Sequence, residues 1–105
     1  MTLRFTILGC GSSGGVQRIG AMWGQCDPAN PKNRRRRAGA LVEKIARGGR
    51  TAALIDTSAD IREQLLDVRL SAVDGVLFTH DHADHTHGID DLRMVAYAMK
   101  RRIDC

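Results

Sequence analysis

The segment Thr79–Gly88 constrains this chain most, because it holds all four histidines of the sequence and two aspartates. It directly follows the apolar run Val76–Phe78, which is typical of a buried strand that ends in a loop. Imidazole nitrogens and carboxylate oxygens together suit divalent zinc, manganese or iron. A surface His-rich tag would not normally interleave aspartates or follow a buried strand. The segment therefore predicts a metal site at a strand end.

The spacing within this segment predicts two ions rather than one. His80 and His82 are two residues apart, so on an extended backbone both side chains can point the same way and share one ion. Asp84 and His85 can turn toward a second ion where the chain bends. A pair of divalent ions makes water more acidic and stabilises both the attacking and the leaving oxygen of an ester. We therefore expect a two-metal hydrolase.

The pattern His80-x-His82-x-Asp84-His85 resembles the H-x-H-x-D-H signature of the metallo-β-lactamase superfamily. Other segments resemble one branch of it, the branch that contains phosphoribosyl 1,2-cyclic phosphodiesterases. The segments that carry this second likeness are Gly9–Val16, Trp23–Asp27, Asn33–Arg37, Ile55–Ser58 and Gly88–Arg93. The resemblance covers essentially the whole chain.

The resemblance implies an α/β fold, the αββα sandwich, of which this chain would form the first half as a mixed β-sheet with helices on one face. It also implies that His80 and His82 bind one ion, zinc or manganese, and that Asp84 and His85 bind the other. Asp84, or the ion that it binds, would orient the attacking water. Asp56 would hold the histidine loop in place.

The number of ligands predicts that residues 1–105 form a single partial domain. A catalytic zinc usually takes three protein ligands and a water. Thr79–Gly88 offers two ligands per ion, with His87 as a candidate fifth, and no histidine lies elsewhere. We therefore expect the missing ligands on a longer polypeptide or on a second chain, and this chain alone to be inactive. An exposed, half-built sheet is also expected to associate, so a homo-oligomer is a candidate partner.

Hydrophobic periodicity predicts the main elements. Residues 3–8 alternate as a half-buried strand, with Leu3, Phe5 and Ile7 on its buried side. Apolar runs on both sides of Arg47–Arg50 predict a β-hairpin, and Val73–Thr79 predicts a strand buried on both faces. Two helices are expected to bury apolar stripes: Ile61, Leu65, Leu66 and Val68 in the first, and Ile89, Leu92, Val95, Ala96 and Met99 in the second.

Basic and glycine-rich segments are the candidate sites for phosphate. Residues 18–37 are predicted to form a long basic loop, and its run Arg34–Arg37 fits either a phosphate contact or a solvated charge cluster. The glycines of Gly9–Val16 fit either an anion-binding turn or a flexible connector. Arg93 is expected to bind either substrate phosphate or a carboxylate such as Asp90, and His87 is a further candidate for substrate binding.

Charge and cysteine content narrow the partners and the compartment. The net charge of +4 favours anionic ligands, whereas 4% aromatic residues leave few stacking platforms for single-stranded RNA. The relatives of this branch often hold a structural zinc with cysteines near Trp23–Asp27, but Cys26 stands alone there, so no structural zinc is expected. Three widely spaced cysteines fit a reducing cytoplasm. No signal peptide or membrane span is predicted, and no membrane partner is expected.

These features favour one function over several alternatives. The leading hypothesis is a dinuclear phosphodiesterase that acts on a small, cyclic phosphate ester. A transfer-RNA 3′-processing nuclease, or a thioester or lactam hydrolase, would use the same ligands. A truncated fragment that binds metal without catalysing a reaction is the non-enzymatic alternative.

Overall fold

The computed structural model describes residues 1–105. Its four strands are β1 (Thr2–Gly9), β2 (Gly39–Ala46), β3 (Gly49–Ile55) and β4 (Gly75–Leu77). They form one sheet in the order β1-β2-β3-β4, in which the first two pairings are antiparallel and β3 pairs with β4 in parallel. The helices are α1 (Ile61–Asp67), α2 (Ala83–Thr86) and α3 (Leu92–Met99), with short 3₁₀ helices at Pro31–Asn33 and His87–Asp91. The expected mixed sheet with helices is confirmed.

A two-residue turn joins β2 to β3, as the glycines between the two apolar runs predict. Ala46 pairs with Gly49, so Arg47 and Gly48 make the turn. Gly49 has a φ of +145°, a conformation open to glycine and rarely adopted by other residues. The hairpin sets the register between β2 and β3. The separate parallel pairing of β3 with β4 places Ile55 beside Leu77, so these two strands end together.

One face of the sheet carries the hydrophobic core. Leu41 and Leu54 pair across β2 and β3, and Leu54 pairs with Val76 of β4. Side chains from the helices cover this face, which we call the covered face. The core cluster consists of Leu8, Leu41, Ala52, Leu54, Ile61, Leu65, Val73, Val76 and Leu92.

The opposite face, which we call the open face, corrects the prediction for β1. The expected strand is present, but Leu3 is 56% exposed and Phe5 and Ile7 are each 70% exposed. The alternation is real, and it places Leu8 rather than these three residues against the helices. Because both helices that carry the core lie on the Leu8 side, no element of the chain covers the open face.

Three further burial predictions are also wrong. The run before the metal segment is not buried on both faces, since Leu77 on the open face is 64% exposed and Phe78, just after β4, is 37% exposed. Leu66 in α1 and Val68 just after it lie outside the buried stripe of Ile61 and Leu65. Ile89 is also exposed, and it lies in the 3₁₀ helix before α3 rather than in α3 itself.

The segment 18–37 is irregular apart from its short 3₁₀ helix, as expected for a loop. It is tied to the glycine-rich turn by backbone hydrogen bonds between Val16 and Arg35 and from Gly11 to Arg36. No helix in the structure combines the length and the apolar character that are needed to cross a membrane.

Candidate metal centre

The parallel pairing of β3 and β4 builds the site. Because parallel strands end at the same edge of a sheet, Asp56 after β3 lies beside the residues that follow β4. The backbone N–H of Asp56 donates to the carbonyl of Leu77 at 2.8 Å. The carboxylate of Asp56 thereby faces Thr79, at the start of the histidine segment.

Asp56 accepts three hydrogen bonds from that segment. Its Oδ1 accepts from the backbone N–H of Thr79 at 2.7 Å, and its Oδ2 lies 2.7 Å from both the Thr79 hydroxyl and His85 Nδ1. Burial alone would raise the pKa of Asp56, but the hydrogen bonds from Thr79 and His85 outweigh it and hold the pKa below its ordinary value. Asp56 is therefore an ionised anchor for the loop at neutral pH.

The backbone of Asp56 is in the left-handed region, with a φ of +64°. This conformation costs a non-glycine residue about 1–2 kcal/mol, although aspartate tolerates it better than most. Glycine would adopt it more easily but would leave Thr79 and His85 without their acceptor. The strain is therefore held at a residue whose side chain organises the site.

The signature side chains converge in front of this anchor. The ring centre of His80 lies 4.5 Å from that of His82 and 4.2 Å from that of His85. His85 Nε2 is 3.1 Å from Asp84 Oδ2. Ligand atoms of Asp56, His80 and His85 all lie within 4.8 Å of one another. The strand end thus gathers nitrogen and oxygen donors at the distances of a metal site.

The hydrogen bonds of the rings favour metal binding. His85 Nδ1 is occupied by Asp56, and His80 Nδ1 lies 2.8 Å from the Thr79 hydroxyl. With both Nδ1 atoms engaged, each ring has Nε2 left as its possible ligand atom, and that of His85 lies beside the carboxylate of Asp84. Imidazole with carboxylate is a donor set for zinc, and it also accepts manganese. The residues present therefore fit a divalent cation.

Backbone hydrogen bonds fix α2 against the segment that follows Asp56. Thr57 donates from its backbone N–H to the carbonyl of His85 at 2.8 Å and from its hydroxyl to that of Thr86 at 3.0 Å. Gly88 donates to the carbonyl of Thr57 at 3.1 Å. A Cβ at Gly88 would clash with the carbonyl of Ser58. These contacts leave the donors little freedom to move apart.

The comparisons with known proteins agree with this geometry. The profile of the Beta-lactamase superfamily domain matches residues 51–104, about half of the chain. The chain belongs to the metallo-β-lactamase superfamily. The matched range contains Asp56, all four histidines and Asp84, so the family assignment and the candidate metal centre concern the same part of the molecule.

Three solved structures of other proteins are similar to this chain. A diphosphatase from the PhnP family is 34% identical, with a TM-score of 0.82 over 98% of this chain. YhfI from Bacillus subtilis (20% identity) and Zn²⁺-bound PqqB from Methylobacterium extorquens (23%) each have a TM-score of 0.59, over 93% and 88% of this chain. The diphosphatase agrees with the branch expected from the sequence, and the other two show the fold alone.

The chain spans only part of each of these proteins. It covers 40% of the diphosphatase, 32% of YhfI and 36% of PqqB. An octanoyltransferase from Porphyromonas gingivalis is 37% identical over 95 residues, which are 90% of this chain and 19% of that protein. The name of that relative therefore describes a protein of which four fifths lie outside the match.

The superfamily signature does not include the two predicted substrate contacts. Arg93 Nη2 lies 3.4 Å from Asp90 Oδ2, which is the carboxylate alternative considered for it. His87 is exposed at the start of the second 3₁₀ helix. Their roles in substrate binding stay predictions, as does the division of His80, His82, Asp84 and His85 between two ions.

The arginine run lines a cavity of about 400 Å³ together with Gly14 and Gly15. Most of its guanidinium groups already contact the protein. Arg36 lies 2.7 Å from Asp67, Arg37 lies 3.0 Å from Asp60, and Arg35 lies 3.1 Å from the thiol of Cys10. The arginine side chains therefore mainly hold the basic loop, the glycine-rich turn and α1 together.

Sequence reasoning gave His80, His82, Asp84 and His85 as candidate donors but did not assign a role to three residues that support them. Thr79 and Thr57 make their contacts across 23 and 29 residues of sequence, which no local pattern reveals. Gly88 was noted only as part of a motif. The available signals were a glycine directly after the histidines and small polar residues directly after a strand-end aspartate.

Proposed function

We propose that this chain carries part of the active site of a metal-dependent hydrolase, and that the substrate is a small phosphate ester. The supporting observation is the cluster at the end of β4. There, His80 and His85 are held through Nδ1, while His85 Nε2 lies beside the carboxylate of Asp84. Family membership makes hydrolysis the reaction class to test.

His80 and His82 would hold one ion, and Asp84 and His85 the other. Divalent zinc or manganese bound there would supply Lewis-acid polarisation of a phosphoryl oxygen and a water acidic enough to be a nucleophile. Asp84 is only 15% exposed at its side chain, and its role would be to accept a hydrogen bond from the attacking water and orient it. Asp56 would keep the ring of His85 aligned.

The substrate class follows from likeness and charge. The 34% identity to a diphosphatase over almost the whole chain points to a phosphoric ester or anhydride. The net charge of +4 would favour such an anion over a neutral lactam. Within this class we propose a phosphodiesterase that acts on a small cyclic phosphate ester. A transfer-RNA nuclease gains less support, because the arginines that would contact RNA already pair with Asp60, Asp67 and Cys10.

The ligand count sets a condition on this activity. Four signature side chains cannot give three protein ligands to each of two ions. We therefore propose that further ligands come from polypeptide outside residues 1–105, and that the isolated chain binds metal weakly without turnover. Two tightly bound ions and hydrolysis by the 105-residue chain would contradict this condition.

A chimera provides the test of function. This chain replaces the matching segment of the diphosphatase, and zinc- or manganese-loaded protein is assayed with bis(p-nitrophenyl) phosphate, a ribose cyclic phosphate, a diphosphate ester, precursor transfer RNA and an octanoyl thioester. We expect metal-dependent cleavage of the small phosphate esters only.

Two aspartates of the histidine segment provide the matched control. Asp84→Asn should lower kcat by about 100-fold or more, because a positioned proton acceptor contributes at least that much. Asp81→Asn removes an exposed carboxylate three residues away and should leave kcat unchanged. Exclusive cleavage of the thioester or of RNA, or equal effects of the two substitutions, would refute the proposal.

A further inference from the structure

The Thr79 hydroxyl occupies a position between the anchor and one of the metal-binding rings. Its Oγ1 lies 2.7 Å from Asp56 Oδ2 and 2.8 Å from His80 Nδ1. The backbone N–H of the same residue donates separately to Asp56 Oδ1. Thr79 therefore makes two independent contacts with Asp56, and only the contact through the hydroxyl continues to His80.

The chemistry of the three groups fixes the direction of this chain of hydrogen bonds. An ionised carboxylate can only accept, so the single proton of the Thr79 hydroxyl points to Asp56. The lone pairs of Oγ1 then face His80 Nδ1, and that nitrogen must carry a proton to form its bond. A neutral ring with a proton on Nδ1 has its lone pair on Nε2, which is the form that a metal needs.

We propose that Thr79 is a positioning residue through which Asp56 orients the ring of His80 as well as that of His85. Asp56 sets the tautomer of His85 directly and that of His80 through the Thr79 hydroxyl. One carboxylate thus orients two rings that are assigned to different ions. The consequence for catalysis rests on the proposed metal-dependent function, but the tautomer of His80 is a property of the chain by itself.

The chain offers a matched pair of substitutions. Thr79→Val keeps the branched shape and the backbone hydrogen bond to Asp56 but removes the hydroxyl. Thr79→Ser keeps the hydroxyl and removes only a methyl group. Because Thr79 is exposed, neither change creates a core cavity. Circular dichroism checks the fold, and Thr79→Ala is a second hydroxyl-free variant should the valine not be accommodated.

The first readout is nitrogen-15 NMR of the four imidazole rings in the metal-free chain at about pH 8, above the ordinary imidazole pKa of about 6.5. Single His→Gln variants assign the rings. We expect His80 and His85 both to carry the proton on Nδ1. In Thr79→Val, His80 should become a mixture of tautomers while His85 stays unchanged, and Thr79→Ser should restore His80. An unaltered His80 in Thr79→Val would overturn the proposal.

The second readout is zinc affinity, measured in competition with a chromophoric chelator. Loss of a group that orients a ligand typically weakens metal binding by about 10- to 100-fold, and we expect this loss in Thr79→Val but not in Thr79→Ser. Equal affinities for wild type and Thr79→Val would contradict the role of Thr79. If the wild-type chain binds no zinc, the weak metal binding proposed above for the isolated chain is wrong, while the NMR result still decides whether Thr79 sets the tautomer of His80.

Discussion

Both faces of the sheet carry large apolar side chains, but the surroundings of these side chains are very different. On the covered face, Leu41 and Leu54 are at most 1% exposed beneath the helices. On the open face, Phe5 and Ile7 remain 70% exposed. Covering one such side chain contributes about 1.5–3 kcal/mol, so the open face lacks a stabilisation that the covered face has.

This difference is the pattern expected of a sheet that lies between two layers. A sheet with one solvated face normally carries polar residues on that face, whereas the open face here carries Leu3, Phe5 and Ile7 of β1 and Leu77 of β4. An αββα sandwich covers both faces of each sheet, and this chain spans 40% of the diphosphatase that it resembles. The open face therefore agrees with a partial fold, while the metal centre lies at the sheet edge where β3 and β4 end.

Alanine substitutions of two adjacent residues of β1 are expected to give the largest difference in stability between the two faces. Leu8→Ala on the covered face should lower the free energy of unfolding by about 2–4 kcal/mol, through lost burial and a residual cavity. Ile7→Ala on the open face should cost below about 1 kcal/mol, since little burial is lost there. Urea unfolding of the isolated chain measures both values.

Protein concentration is the control for this pair. If the cost of Ile7→Ala approached that of Leu8→Ala and grew with concentration, a second copy would be covering the open face in solution. The contrast between the faces would then describe only the single chain.

The same contrast explains how far the sequence could predict the fold. Alternation in β1 and the glycines after Arg47 depend on local periodicity and turn chemistry, so both elements were predicted correctly. Which face of β1 is covered depends on where α1 and α3 pack, and periodicity does not contain that information. Leu3, Phe5 and Ile7 were therefore assigned to the core although they form the open face.

The candidate site likewise contains residues that a local pattern indicates and residues that only the tertiary structure brings in. His80, His82, Asp84 and His85 form a motif within six residues, so sequence alone could indicate them as candidate ligands. The contact of Asp56 with His85 spans 29 residues and depends on β3 and β4 being parallel neighbours. Asp56 was predicted only through the family resemblance, and Thr79, which has no recognisable pattern, was not predicted.

A buried carboxylate on the covered face allows a finer test. The Glu43 side chain is only 3% exposed, and its Oε1 accepts from Arg4 Nε at 3.0 Å. Its Oε2 lies 2.8 Å from Arg50 Nη1 but in a geometry too poor for a hydrogen bond. Arg4→Met should therefore cost about 1 kcal/mol, a value reduced because Arg4 is half exposed.

A double-mutant cycle isolates this interaction. In a Glu43→Gln background, Arg4→Met should cost less than about 0.5 kcal/mol, because the charge that it compensates is gone. Lys44→Met on the open face is the matched control and should change stability by less than about 0.5 kcal/mol. Equal costs of Arg4→Met in both backgrounds would show that the arginine stabilises through its aliphatic stem.

Asp74 gives the smallest expected effect, at the edge of the covered face. Its Oδ2 accepts from the backbone N–H of Ala52 at 2.8 Å, and Arg101, just after α3, contacts its Oδ1. These two contacts hold the pKa of Asp74 below its ordinary value. A lowered folded-state pKa adds stability above the unfolded value of about 3.9, and that stability disappears as the pH falls through the folded value.

Asp74→Asn should therefore lower the free energy of unfolding at neutral pH, and the gap to wild type should close at acidic pH. The side chains of Asp74 and Arg101 are 35% and 51% exposed, so solvent screening limits the difference to below about 1 kcal/mol. Urea unfolding at about pH 7 and about pH 3 measures the gap. A gap of the same size at both pH values would contradict this prediction. It would mean that Asp74 stabilises the fold through packing rather than through its charge, with the hydrogen bond from Ala52 kept by asparagine, whose side-chain oxygen can also accept it.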